Sequence, residues 1–178
     1  MKILRVQELI EGYQQGDRDF QFRQLRKADL FDCNLQNINL QGCDLRGGYL
    51  CYGNLSRANL SSANLEAADL SSSILHAAQL DGSNLVGCNF HRASLYAANL
   101  QHSNLVQANF QVADLRQVNF NGAKLQGAIL RHANITQATF DRADLRQCDL
   151  HRAKGANLRG AIIDETTIMP NGYRGSST

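Results

Sequence analysis

The chain has 178 residues, a formal net charge of +2, 43% hydrophobic and 19% charged residues, one Pro and no Trp. These proportions fit one folded unit and exclude a disordered, collagen-like or mucin-like chain, and so small a net charge implies no partner by itself. No run of about 18 apolar residues occurs, which excludes a membrane-spanning helix.

At the N-terminus, Lys2, Arg5, Glu8 and Glu11 interrupt the stretch where a signal peptide needs an apolar centre, so a cytoplasmic location is the expectation. The odd count of five cysteines then reads as reduced thiols. Ile3, Val6, Ile10 and Tyr13 recur at spacings of three, four and three, along one face of a helix ending near Gly16. The spacing predicts a helix over residues 2–15, within a cap of residues 1–17 that covers the start of the next segment.

From Phe20 onward the chain is a repeat. Every fifth position from Phe20 to Leu150 is apolar, 27 positions holding 21 of the 24 leucines, five Phe and Ile135. Two positions before each of them stands a compact residue from Ala28 onward, with Ile38 and Val118 the larger exceptions. The position between is Asn or Asp in 18 of the 25 repeats centred on Leu30 to Leu150, a consensus of A-(N/D)-L-x-x. Neither regular element can use this period. Five residues rotate an α-helix by about 140° beyond a full turn, so no stripe forms. In a strand an odd spacing throws every second Leu to solvent. A chain that turns once per repeat keeps every fifth residue inside, and Asn or Asp suits the turns because its side chain bonds to nearby backbone.

The run SRANLSSANLEAADL, with about 25 units like it, resembles the pentapeptide-repeat family, and Gly16 to Phe20, GDRDF, is similar to the entry into the repeat in cyanobacterial members. The resemblance implies an all-β solenoid, a right-handed quadrilateral β-helix with four repeats per coil, over residues 18–168, behind an N-terminal capping α-helix. At the far end the apolar series breaks: after Leu150 it resumes at Leu158, then Ile163 and Ile168. Eight read as five plus three predicts a three-residue insertion in His151 to Gly155. Met169 and Pro170 end the coil, leaving residues 169–178 as a flexible tail. The last coil either folds over its own end or pairs with that of a second copy. Some family members dimerise through this end, which implies a possible homodimer.

Candidate chemistry is sparse. Cys33, Cys43, Cys88 and Cys148 take the compact inward position, Cys51 should face outward, and no C-x-x-C spacing occurs. His76, His91, His102, His132 and His151 all stand at outward positions, and His132 and His151 approach diagonally with no third ligand stacked on them. Gly42, Gly47, Gly82, Gly87, Gly122 and Gly127 read as corner residues. No catalytic residue, cofactor or metal site is expected, and the chain reads as a non-enzyme.

Surface charge is divided. Residues 28–89 carry two arginines against six carboxylates, a net of −4, and residues 90–152 carry seven basic residues against four acidic ones, a net of +3. His91, Arg92, Arg131, His132, His151 and Arg152 are expected to form a basic stripe. Ala67, Val86, Gly87, Val106 and Gly127 are expected to form a flat neutral face suited to docking a partner protein. The expected role is a rigid structural or protein-interaction module, with no membrane partner and no sequence-specific nucleic acid. The alternative comes from gyrase-protecting relatives that resemble DNA in shape and charge. It requires an acidic surface, whereas residues 28–150 hold eight basic and ten acidic side chains.

Overall fold

The computed structural model describes residues 1–176. Its organising element is a turn, not a strand. After each inward apolar residue, the third-following amide closes back on that residue's carbonyl, as in Ala28 N to Leu25 O at 3.1 Å. The third residue of each of these turns has positive φ, from 53° at Lys27 to 70° at Gly127. A positive φ confined to that position is the signature of a type II turn. Glycine occupies some of these corners, but 21 non-glycine residues adopt the same conformation, including β-branched Val112 at 63°. Left-handed backbone costs such residues about 1 kcal/mol or more, so the corners must be held from outside.

They are held by the next coil. Single-residue parallel bridges join positions 20 apart, from Asp19 with Asn39 to Asn134 with Lys154. A turn every fifth residue and a bridge every twentieth give four sides per coil. Within the repeat from Asn59 to Ala63 each amide has an assigned acceptor. Asn59 N donates to Ile38 O, Leu60 N to Gln79 O, Ser62 N to Asp81 O and Ala63 N to Leu60 O. The remaining donor, Ser61 N, finds Asn59 Oδ1 at 3.1 Å. That last bond recurs along the chain, for example Ser71 N to Asp69 Oδ1 and Gln111 N to Asn109 Oδ1. Asn and Asp dominate beside the leucine because their side-chain oxygen satisfies the one corner amide that no neighbouring backbone reaches.

The interior is the leucine comb with its compact neighbours, buried from Leu25 to Ala153 with the exception of Cys33. Where the compact residue is polar it stays satisfied: Ser83 Oγ donates to Leu80 O, and the Cys88 thiol to Leu65 O one coil below. Coils stack at the usual strand separation, about 4.8 Å.

Both ends differ from the sequence reading. The helix is α1, Val6–Gln14. Ahead of it, Lys2–Ile3 forms β1, paired in parallel with β2, Arg23–Gln24. Residues 2–5 therefore do not extend the helix: the first coil offers an open edge, and the chain start adds to it as a strand. Leu9 is the fully buried residue of α1, while Ile3, expected on the buried face, is 71% exposed. Cys33 is only half-buried, whereas Ala28 and Ile38 on the same coil are buried.

At the C-terminal end Lys154 still stands 20 residues above Asn134, but Ile162 pairs with Asp144 at 18 and Ile168 with Asp149 at 19. The expected three-residue insertion is a two-residue deletion: Gly155 occupies the slot of an inward residue and the next side is short. One residue is regained at Asp164, which caps Thr166 N. Ile168 consequently lies at the bridging position, and Thr167, not Ile168, is the buried one. Residues 169–176, expected as a flexible tail, fold back instead, with Met169 N bonded to Tyr173 O, Gly175 N to Thr167 O, and an antiparallel bridge from Ile168 to Arg174. The last two residues of that expected tail lie outside the described residues. Among the described residues, no helix is long and apolar enough to cross a membrane.

Candidate functional surface

Because the interior is filled, chemistry is confined to the outward rows. Each corner presents two side chains per coil, stacked on those 20 residues away. The expected basic stripe is one such corner: Arg92 N bonds to Gln111 O, Val112 N to Arg131 O and His132 N to His151 O. The structure thus brings His91, Arg92, Arg131, His132, His151 and Arg152 onto one ridge, interrupted by Gln111 and Val112. The stripe is weaker than its formula suggests, because Arg131 Nε donates to Asp149 Oδ2 at 2.5 Å and is neutralised there.

Ala67, Val86, Gly87, Val106 and Gly127 share another corner, joined by Ala67 N to Val86 O and Gly87 N to Val106 O. From Val86 to Gly127 it is uncharged over three coils and low in relief. Val86 and Val106 are half-buried rather than exposed. Glu66 and Arg46 bound it at one end and Arg146 at the other.

Carboxylates on the rows between corners are mostly held by arginine. Asp44 accepts from Arg46 Nη2 at 2.7 Å and Arg26 Nε at 2.9 Å, and its hydrogen bond from Arg46 holds its carboxyl down at about 2. Asp144 is clasped by Arg146 and Gln126, which lowers its carboxyl as well. Asp114 pairs with Arg116, whose guanidinium also lies 5.5 Å from the centre of the Tyr96 ring. Burial pushes the Cys88 and Cys148 thiols up to about 12, so neither is a nucleophile near neutral pH. All five cysteines are free.

Hollows occur chiefly at the two ends. One of about 400 Å³ lies between Ile3–Val6 and Gln24–Ala28. Another of about 520 Å³, lined by Thr139, Phe140, Asp141 and Arg159, is left by the shortened coil. Among the described residues, no group of three or more His, Cys, Asp or Glu is placed to hold a metal ion. His76 Nε2 lies 2.7 Å from Ser94 Oγ and packs edge-on to Tyr96, on an exposed ridge with no chamber around it.

One feature escaped the charge-based reading. Phe31, Tyr49 and Tyr52 are 57%, 56% and 59% exposed, on two adjacent coils. The signal was present in the register, since Tyr49 stands where the repeat calls for Asn or Asp and Phe31 and Tyr52 occupy corner positions.

The family model described as pentapeptide repeats matches the chain in eight copies, across residues 24–47, 38–76, 73–111 and 113–152. A pentapeptide repeat protein from the Arabidopsis thaliana thylakoid lumen is 31% identical over 52% of this chain and 65% of its own, with a TM-score of 0.51. The chain therefore spans just under two thirds of that relative. QnrB1, a plasmid-mediated fluoroquinolone resistance protein, shares the fold at 20% identity, covering 82% of this chain and 80% of its own, TM-score 0.64. HetL, a pentapeptide repeat protein involved in heterocyst differentiation regulation in the cyanobacterium Nostoc sp. strain PCC 7120, is 28% identical over 97% of this chain and all of its own, TM-score 0.40. No curated protein matches.

Proposed function

This chain belongs to the pentapeptide-repeat family, and from that premise we propose that it is a non-catalytic, right-handed quadrilateral β-helix serving as a rigid protein-interaction module. One observation carries the reading. The inward side chains from Leu25 to Leu150 are buried apart from Cys33, so side-chain variation is spent on the corners and the rows between them, whose spacing is fixed by backbone bonds. Such rows suit recognition of an extended partner surface, and they provide no enclosed site for a reaction. The neutral corner centred on Val86 and Val106 is the leading contact surface: it is flat, and desolvating it removes no charge from water. The basic ridge is the second. A homodimer through the C-terminal end competes with the folded-back hairpin of residues 168–175, which already occupies that end.

Affinity capture from native lysate tests this reading, using the intact protein, a Val86→Asp/Val106→Asp variant and an Arg92→Glu/Arg152→Glu variant. The expected result is a protein captured by the parent and lost with the first variant. Identical capture by all three forms would contradict the assignment of these surfaces.

The likeness to QnrB1 concerns fold alone. A DNA-mimic role at gyrase is opposed by the basic second half of the rod, and unchanged supercoiling at micromolar protein is the expected outcome.

A further inference from the structure

The aromatic patch on the first coils sets exposed rings among carboxylates. Tyr49 stands in a ladder between Asp29 and Asp69, bridged to both. Phe31 and Tyr52 lie on the adjoining corner with ring centres 5.6 Å apart and planes at 57°, and Asp32 is stacked on that corner through Asp32 N to Cys51 O. Three exposed rings are thus interleaved with three carboxylates. Their state differs from that of carboxylates elsewhere on the rod. Asp44, Asp114, Asp144 and Asp149 are each tied to an arginine. Among the described residues, Asp29, Asp32 and Asp69 enter no ion pair within 4.0 Å. The cation bordering the patch is Lys27, across the small hollow floored by Gly47 and Gly48 and walled by Tyr49 and Asp69.

The protein shows how such a set is completed. Near the middle of the rod Arg116 lies over the Tyr96 ring and pairs with Asp114 through Nε at 2.8 Å and Nη2 at 2.7 Å. Ring and carboxylate there share one guanidinium, which lies over the ring face while its edge donates to the carboxylate. The N-terminal patch has the rings and the carboxylates without the arginine. We propose that Phe31, Tyr49, Tyr52, Asp29, Asp32 and Asp69 form a docking surface for an arginine-bearing segment of a partner protein. The inference rests on the interaction reading above and names its partner chemistry. Arginine is preferred to lysine because a compact ammonium cannot stack on a ring and donate two parallel bonds to a carboxylate at once.

The test uses the intact protein and a fluorescein-labelled peptide of four arginines separated by serines, followed by fluorescence anisotropy. Two controls replace the arginines by lysine and by glutamate. The expected result is saturable binding of the arginine peptide, weaker binding of the lysine peptide and none of the glutamate peptide. Tyr49→Leu/Tyr52→Leu should weaken binding by about fivefold or more, at unchanged charge. Asp29→Asn/Asp32→Asn/Asp69→Asn should weaken it and flatten its salt dependence. These three changes preserve the backbone, because asparagine caps the same corner amides elsewhere in the repeat and tolerates positive φ. Equal affinity for the arginine and lysine peptides, or unchanged binding by the tyrosine variant, would overturn the proposal. So would failure to saturate by about 1 mM. None of these outcomes touches the loss of capture expected of the Val86→Asp/Val106→Asp variant, which reads a different corner.

Discussion

The two halves of the rod share one interior rule and differ in nearly everything outside it. Residues 28–89 present a net −4 surface with exposed aromatics, and residues 90–152 a net +3 surface with a basic ridge. Inside, the first half is packed with leucine, whereas the second carries phenylalanines that touch from coil to coil. Phe90 stacks on Phe110 at 4.8 Å, Phe120 on Phe140 at 5.1 Å, and Phe110 meets Phe120 edge-on at 5.9 Å. The turn and its hydrogen bonds are nevertheless the same in both. Surface chemistry is therefore free to vary coil by coil without disturbing the backbone, which is why a partner preference can reside in one half.

The sharpest way to break this comparison is to violate the interior rule. Leu85→Asp places a charge in a fully buried column and should abolish cooperative folding, while Val86→Asp, one residue along, should change stability by less than about 1 kcal/mol. Denaturant melts decide it, and equal damage from both would mean that the inward register is misassigned. Next in size, Phe110→Ala should cost about 3–5 kcal/mol and more than Leu65→Ala, because it strips contacts from two neighbouring rings. Equal losses would show that the aromatic column adds nothing beyond its volume.

The acid side offers a smaller contrast. Asp44 has a folded-state value near 2, below the ordinary 3.8 of its kind, so its contribution is complete above the ordinary value and is lost as pH falls toward 2. Urea melts should show stability declining through that window, by on the order of 2 kcal/mol for this group. Asp44→Asn should lower stability at neutral pH and remove that part of the decline.

Much of this was legible in the sequence. The period of five fixes the turn, the Asn or Asp column supplies its cap, and Gly82 and Gly87 fall at positive φ as the spacing requires. The rest was hidden for physical reasons. Pairing of Lys2–Ile3 with Arg23–Gln24 uses backbone groups, which carry no residue signature. The interval from Leu150 to Leu158 reads as five plus three because Gly155 leaves a skipped inward slot invisible; with that slot counted, it is ten less two. Arg131 reaches Asp149, 18 residues on, a diagonal that a row-by-row count of charge misses. The aromatic patch was overlooked because net charge records carboxylates and says nothing of the rings between them.

The claim on which all of this depends is that 20 residues make one step of a straight stack. Double electron–electron resonance between spin labels on one corner tests it, with one label at position 152 and the other at position 72, 52 or 32, and with Cys51 replaced by serine. These pairs are four, five and six coils apart, so mean distances should lengthen by about 4.8 Å per coil, from roughly 19 to roughly 29 Å. Distances that fail to grow by one constant step would contradict the stacked coil.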